Sequence, residues 1–390
     1  MKKNMTAFVA LMAVFTLAIC FIILGSISTD LMTALGINEG QFGTLIMGLF
    51  LTSCIVQLFI GPLVDKVGYK PVAIMGFVVT SLSMFILAFA ASFLVALIAC
   101  ILLGVGAISL NTVGNTLIPV VLFQGKDPAR ASNFGNGFFG LGYTLTPLLI
   151  VFILKVLNLN YTVALIIIAV LSLIFLLAVF ATDFPSVSTG YKFSMAFKLM
   201  LKPAVLIAAF ALFCYTSLEV SMGSWIKKLM EGLFGGTASI NAAAKAGMVL
   251  SLFGISMMVS RFLFSIVKNL TSRGSKVLVS MSVLSVIAII LLIISKTPGL
   301  AILGVIIAGL AFAPIFPTIV GITFAKFDQS LYGSIFGIIF AAGMLGGTFV
   351  PKLIGNLSTG STVQQSLPIA AVIAVVLLFI SMVIGRIGRK

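Results

Sequence analysis

Gly61-Pro62-Leu63-Val64-Asp65-Lys66-Val67-Gly68-Tyr69-Lys70 is the stretch on which the fold turns. It falls where one apolar run, 41–62, gives way to the next, 70–91, and it reads as a short loop. Working outward, the same alternation recurs along the chain. Apolar runs fall near 6–34, 41–62, 70–91, 93–123, 131–156 and 160–182, then near 204–227, 244–268, 275–295, 299–325, 332–356 and 364–386. A helix that crosses a bilayer uses about 20 mostly apolar residues. Hydrophobic residues make up 61% of the 390, about 238, enough for roughly twelve crossings.

Composition excludes the main alternatives. Charged residues are only 8%, and mean hydropathy is +1.31. Such a chain cannot hide its apolar side chains in a soluble core or cover that core with charge. This argues against a soluble enzyme, a nucleic-acid-binding module and a disordered protein. The runs are continuous rather than alternating, which argues against a porin-type barrel. The first run follows Lys2-Lys3 and continues to about Ile27 without a small-residue cleavage site, so it reads as a span rather than a signal peptide. Cys20, Cys54, Cys100 and Cys214 sit inside apolar runs and read as small hydrophobes, with neither disulfides nor a metal site supported.

The net charge of +15 reads as a label of sidedness. With both ends inside, sixteen of the 23 Lys and Arg fall on the cytoplasmic side and six on the other, with Arg261 inside helix 8. That bias fits an even number of spans in a bacterial-type inner membrane, multi-pass, with cytoplasmic termini. The longest cytoplasmic loop, 183–203, lies at the middle of the chain. Across it the sequence echoes itself. Gly142-Tyr143-Thr144-Leu145-Thr146-Pro147 and Gly346-Gly347-Thr348-Phe349-Val350-Pro351 both read G-x-T-x-x-P, 204 residues apart. Asp65 to Lys70 is echoed 206 residues later by Thr271-Ser272-Arg273-Gly274-Ser275-Lys276. The expected fold is therefore an all-α membrane protein of twelve transmembrane helices in two pseudo-symmetric six-helix bundles, 1–182 and 204–390, joined by the linker 183–203.

The 61–70 stretch resembles the G-x-x-x-D-x-x-G-R-[KR] signature of the major facilitator superfamily. Gly61, Asp65, Gly68 and Lys70 match it, and Tyr69 stands where the signature has Arg. The resemblance implies that Gly61, Asp65, Gly68 and Lys70 form a conformational latch. A carboxylate at a helix end can hold basic residues or a facing helix N-terminus. A capped, solvated turn is the plainer reading. Helix 4 has no Arg and helix 5 no G-P-x-x-G, so two other motifs of the superfamily are missing. Gly309-Leu310-Ala311-Phe312-Ala313-Pro314-Ile315-Phe316-Pro317-Thr318 and the E-x-x-x-G-x-W of Glu219 to Trp225 look like the fucose-permease-like branch. That branch implies cation-coupled uptake of sugars and other small polar solutes. It commonly carries an acid in helix 4 where this chain has Asn111.

Ionisable groups at membrane depth are costly and are kept for function or for pairing. Glu219, amid apolar neighbours in helix 7, is a candidate for proton or cation coupling. Its alternative is a structural pair with Arg261. Asp30, toward the outer end of helix 1, is a second coupling candidate or else a solvated helix-end acid. Arg261 can bind an anionic substrate, balance Glu219, or snorkel toward the cytoplasmic loop. Asn111 and Asn115, i and i+4 on helix 4, and Asn136 and Tyr143 on helix 5 are candidates for substrate binding, or for interhelical hydrogen bonds. Trp225 can stack on a sugar-like ligand or anchor the interface near Lys227 and Lys228.

Together these point to a secondary active transporter working by alternating access, with symport of a small polar solute driven by H+ or Na+. Export by antiport of a drug, metabolite or siderophore-like compound is the alternative. The expected partners are the solute, the coupling ion and membrane lipid, with no nucleic acid, for a chain acting as a monomer. No cofactor is called for. With no His and no nucleophile–base pair, enzymatic catalysis is not expected.

Overall fold

The computed structural model describes residues 2–185, 199–235, 242–358 and 361–384. Twelve of its helices are long and apolar enough to cross a membrane. The first six are α1 (Lys2–Ser26), α2 (Glu39–Val67), α3 (Tyr69–Ala88), α4 (Phe93–Val121), α5 (Pro128–Val151) and α6 (Tyr161–Phe180). The second six are α7 (Pro203–Leu233), α8 (Ala242–Ile266), α9 (Leu270–Ile294), α10 (Pro298–Phe312, resuming as Ile315–Phe324), α11 (Tyr332–Ser358) and α12 (Pro368–Ile384). Most of the expected linker, 186–198, lies outside the described residues, as do the last six residues with Arg386, Arg389 and Lys390.

Local chemistry sets the boundaries. Asn38 opens α2 with a reciprocal cap: Gln41 N donates to Asn38 Oδ1 at 2.9 Å, and Asn38 N donates to Gln41 Oε1 at 3.1 Å. Ser92, Asp127 and Asn160 cap α4, α5 and α6 by accepting from backbone N–H groups. Gly68 ends α2 at φ +88°, a conformation that favours glycine. Gly61–Val67 is therefore the last two turns of a helix, not the loop its charges suggested. α1 breaks at Ile27 and continues as the short helix Ser28–Leu35, where the sequence read as one run.

α10 is broken by proline. Pro314 and Pro317 have no N–H, which leaves the carbonyls of Leu310 and Ala313 without their usual partners. α8 supplies both replacements: Ser260 Oγ donates to Leu310 O at 2.7 Å, and Arg261 Nε to Ala313 O at 3.0 Å.

α1–α6 pack chiefly on one another, as do α7–α12, and the halves meet along α2–α11, α5–α8 and α5–α10. Gly61 and Gly333 allow the first of these to close: a Cβ on Gly61 would run into the Gly333 carbonyl. Outward faces carry large apolar side chains such as Phe59, Leu177, Phe210, Leu263, Ile266 and Phe379, while asparagines and hydroxyls turn inward. That arrangement suits a hydrocarbon solvent. Below, the terminal face is the end where α1 begins and α12 finishes; the opposite face is the other.

Candidate functional site

A path enters the protein from the opposite face. Its outer cavity holds about 1090 Å³ and is walled by the α1–α2 junction and the far ends of α7 and α11. It leads to an inner chamber of about 360 Å³, and the lining they share includes Met32, Ile46, Phe50, Trp225 and Lys228. Phe21, Phe139, Tyr143, Gly223 and Glu219 line the inner chamber. Phe139 and Tyr143, one turn apart on α5, stack with centroids 5.7 Å apart. Gly223 leaves room for the Tyr143 hydroxyl, which a Cβ at that position would strike.

Glu219 sits where the chamber meets the protein interior. Its side chain is 14% exposed, and Arg261, 1% exposed, holds it through Nη2 to Oε1 at 3.3 Å. Arg261 donates elsewhere too. Nη2 reaches the Tyr215 hydroxyl at 3.1 Å, Nε the Ala313 carbonyl, and Nη1 the Asn136 carbonyl at 3.1 Å. Its guanidinium lies 5.0 Å from the Phe139 ring centroid. One buried cation thus joins α7, α8 and α10 of the second half to α5 of the first. It is not among the cavity-lining residues, and its burial rules out snorkelling.

Beneath the chamber the asparagines bond to one another. Asn115 Nδ2 donates to Asn111 Oδ1 and Asn136 Nδ2 to Asn115 Oδ1, each at 2.8 Å. Asn133 Nδ2 reaches Thr318 Oγ1 of α10 at 3.3 Å. Asn111, Asn115 and Asn136 are buried and do not line either cavity. Trp225 lines both cavities and donates Nε1–H to the Pro351 carbonyl at 3.0 Å. Asp30 lies in Ser28–Leu35 near Tyr161, apart from the cavity lining.

At the terminal face two carboxylates join the halves. Asp65 accepts from Gly333 N at 3.1 Å, Ser334 N at 2.8 Å and Ser334 Oγ at 2.7 Å, which places its charge on the N-terminus of α11. Lys70 Nζ reaches the Phe180 carbonyl at the end of α6 at 3.4 Å. The second carboxylate is Asp127. It caps its own α5 at Arg130 N and accepts from Leu270 N, Thr271 N and Thr271 Oγ1 at the start of α9. Ala129 N donates to Thr271 Oγ1 at 3.2 Å. The two contacts are related by the sequence repeat. Thr271 lies 206 residues beyond Asp65 and Gly333 lies 204 beyond Ala129, so each half offers an oxygen to a helix N-terminus of the other.

Sequence reasoning missed Asp127, Tyr215 and the lysines of the wall. Tyr215 and Glu219 are i and i+4 on one helix face, a spacing that was visible. Lys227 and Lys228 read as interface charges beside Trp225, at the end of a run expected to stop near 227; α7 runs to Leu233 and carries both into the cavity lining.

Comparisons with known proteins agree with this architecture. Residues 8–351 match the family profile described as Major Facilitator Superfamily. Among solved structures the chain is similar to FucP, a Major Facilitator Superfamily transporter in the outward conformation. The TM-score is 0.77 at 16% identity, covering 98% of this chain and 99% of that one. It is likewise similar to a variant of the E. coli fucose:proton symporter FucP, with TM-score 0.74, 18% identity and full coverage, 100%, of both chains. A third similar structure is the human organic anion transporter MFSD10 (TETRAN), with TM-score 0.72, 15% identity, and 98% and 100% covered. A search of curated proteins finds no significant match.

Proposed function

We propose, from the premise that the chain belongs to the major facilitator superfamily and is a multi-pass membrane transporter, that it takes up a small solute together with a proton, and that Glu219 is the proton-binding group. The halves 1–182 and 204–390 rock about the buried path, with 183–203 as the tether between them. We place the terminal face in the cytoplasm of an inner membrane on the lysine and arginine bias, which makes the described state outward-open. The chain works as a monomer in lipid, and H+ rather than Na+ drives it.

One observation carries this reading. The acid that touches the inner chamber is held by the same arginine that donates to the Asn136 carbonyl of the other half. A proton arriving from the outer side neutralises Glu219 and removes the charge that positions Arg261. The bridge between the halves then weakens, and the terminal face is freed to open. Asp65 and Asp127 act as the latches that re-form when the proton leaves. Asn111, Asn115 and Asn136 keep α4 and α5 together as one moving unit. Tyr143 and Trp225 form the aromatic wall on which cargo rests. Asp30, near Tyr161 and apart from the cavity lining, serves as a solvated helix-end acid in this reading.

The test uses the chain in proteoliposomes with a solute found by thermal shift across sugars, amino acids and organic acids. Glu219→Gln is expected to keep counterflow exchange and lose accumulation driven by a pH gradient. Unchanged accumulation would refute the assignment.

A further inference from the structure

The inner chamber distributes its polar groups unevenly. A chain of rings runs along its deep wall. Phe50 meets Phe21 with centroids 5.1 Å apart, Phe21 meets Phe139 at 6.3 Å, and Phe139 stacks on Tyr143. Ser28 lies about two turns beyond Phe21, and Lys227, Lys228 and Glu231 lie about two turns or more beyond Glu219, all toward the outer cavity. Ser224 is shared with that cavity. Among the chamber's described lining residues there is no Asn, Gln or Thr. The polar side-chain groups at depth are therefore the Glu219 carboxylate and the Tyr143 hydroxyl. Tyr143 is 7% exposed, and its hydroxyl lies against Gly223, one turn along α7 from Glu219. Among the described residues that hydroxyl has no hydrogen-bond partner.

We infer that the inner chamber takes a small neutral cargo built of an aromatic ring system and a single hydroxyl, and that Tyr143 binds this hydroxyl alongside Glu219. This rests on the reading above that the chamber lies on the transport path. A cargo hydroxyl accepts from the Tyr143 O–H and donates to the Glu219 carboxylate, so all three groups are satisfied at once. A polyol would bury its further hydroxyls against rings, with nothing there to pair them. Arg261 already balances Glu219, so a charged cargo would add an uncompensated charge at the same place. The ring system packs by edge or face on Phe21, Phe50 and Phe139, as those rings pack on one another.

The chain supplies its own reporter, because Trp225 is its single tryptophan and lines the chamber. The full chain in nanodiscs is titrated with 2-naphthol and with naphthalene, and energy transfer from Trp225 reads occupancy. The saturable part of the quenching separates the chamber from probe dissolved in lipid. Saturable binding of 2-naphthol is expected, with naphthalene, which lacks the hydroxyl, about tenfold or more weaker. Sorbitol and 2-naphthoate in excess are expected to leave 2-naphthol in place. In Tyr143→Phe, which keeps the ring, 2-naphthol is expected to weaken to the level of naphthalene while naphthalene binding holds. Absence of saturable quenching, naphthalene binding as tightly as 2-naphthol, or displacement by sorbitol or 2-naphthoate would overturn the cargo class. A Tyr143→Phe chain that binds 2-naphthol as before, or loses both probes alike, would overturn the role of the hydroxyl. The titration uses no gradient, so if it fails while accumulation still depends on Glu219, the cargo assignment falls alone and the coupling role stands.

Discussion

Arg261 Nη2 stands 3.3 Å from Glu219 Oε1, and the same guanidinium donates through Nη1 to the Asn136 carbonyl of the other half. The pair is thus both a charge balance and a bridge. Removing one buried partner leaves the other uncompensated, a cost of about 3–5 kcal/mol. Arg261→Met is accordingly expected to lower thermal stability sharply. Glu219→Gln/Arg261→Met is expected to recover part of the loss, because neither charge is then stranded. A double-mutant cycle from melting curves reads the coupling, and strictly additive losses would argue against the pair.

The approach of α2 to α11 depends on Gly61, whose Cβ would collide with the Gly333 carbonyl. Gly61→Val is expected to prop the terminal face open without touching Glu219. Cysteine cross-linking between Lys66→Cys and Ser330→Cys, both at exposed positions on that face, should then fall at least about tenfold, equivalent to about 1.4 kcal/mol against the closed state. Cross-linking at the native rate would show that the close approach does not gate closure.

Asp127 serves two helix N-termini at once. Asp127→Ala removes a cap from α5 and an acceptor from α9, a loss of about 1–2 kcal/mol from the cap alone. Asp65→Asn removes only the charge that faces α11. The two substitutions lie at different inter-half contacts, so their effects on the open–closed balance are expected to add. Hydrogen exchange at the starts of α9 and α11 separates them: Asp127→Ala should raise it at α9, Asp65→Asn at α11. A rise at both ends from either single change would mean one merged latch.

How much of this could be read beforehand follows from the range of each signal. Span count and the two-half plan rest on local composition and on the 204-residue echo, and both were legible. Asp65 facing a helix N-terminus was legible as a possibility, since a carboxylate at a helix end has few uses. The pairing of Glu219 with Arg261 was one of two readings, because an acid and a base in adjacent spans do not reveal their rotation about the helix axes. The inward turn of Asn111 onto Asn115 was hidden for the same reason: i, i+4 spacing gives a face but not what faces it. Arg261's hold on Ala313 was readable only with knowledge that α8 lies beside the break made by Pro314 and Pro317. Asp127 passed unnoticed because a cap for α5 needs no second partner, and α9 arrives from 143 residues away.

The central claim is that protonation of Glu219 loosens the bridge that keeps the terminal face shut. It is tested most directly by pulsed electron–electron spin distances between labels at Lys66→Cys and Ser330→Cys, with the native cysteines replaced by alanine, from about pH 8 to about pH 5. The native sequence is expected to hold a short distance at the higher pH and to gain a longer population as pH falls. Glu219→Gln, which mimics the protonated acid, is expected to show the longer population at every pH. A Glu219→Gln distribution that still follows pH as the native one does would contradict the account.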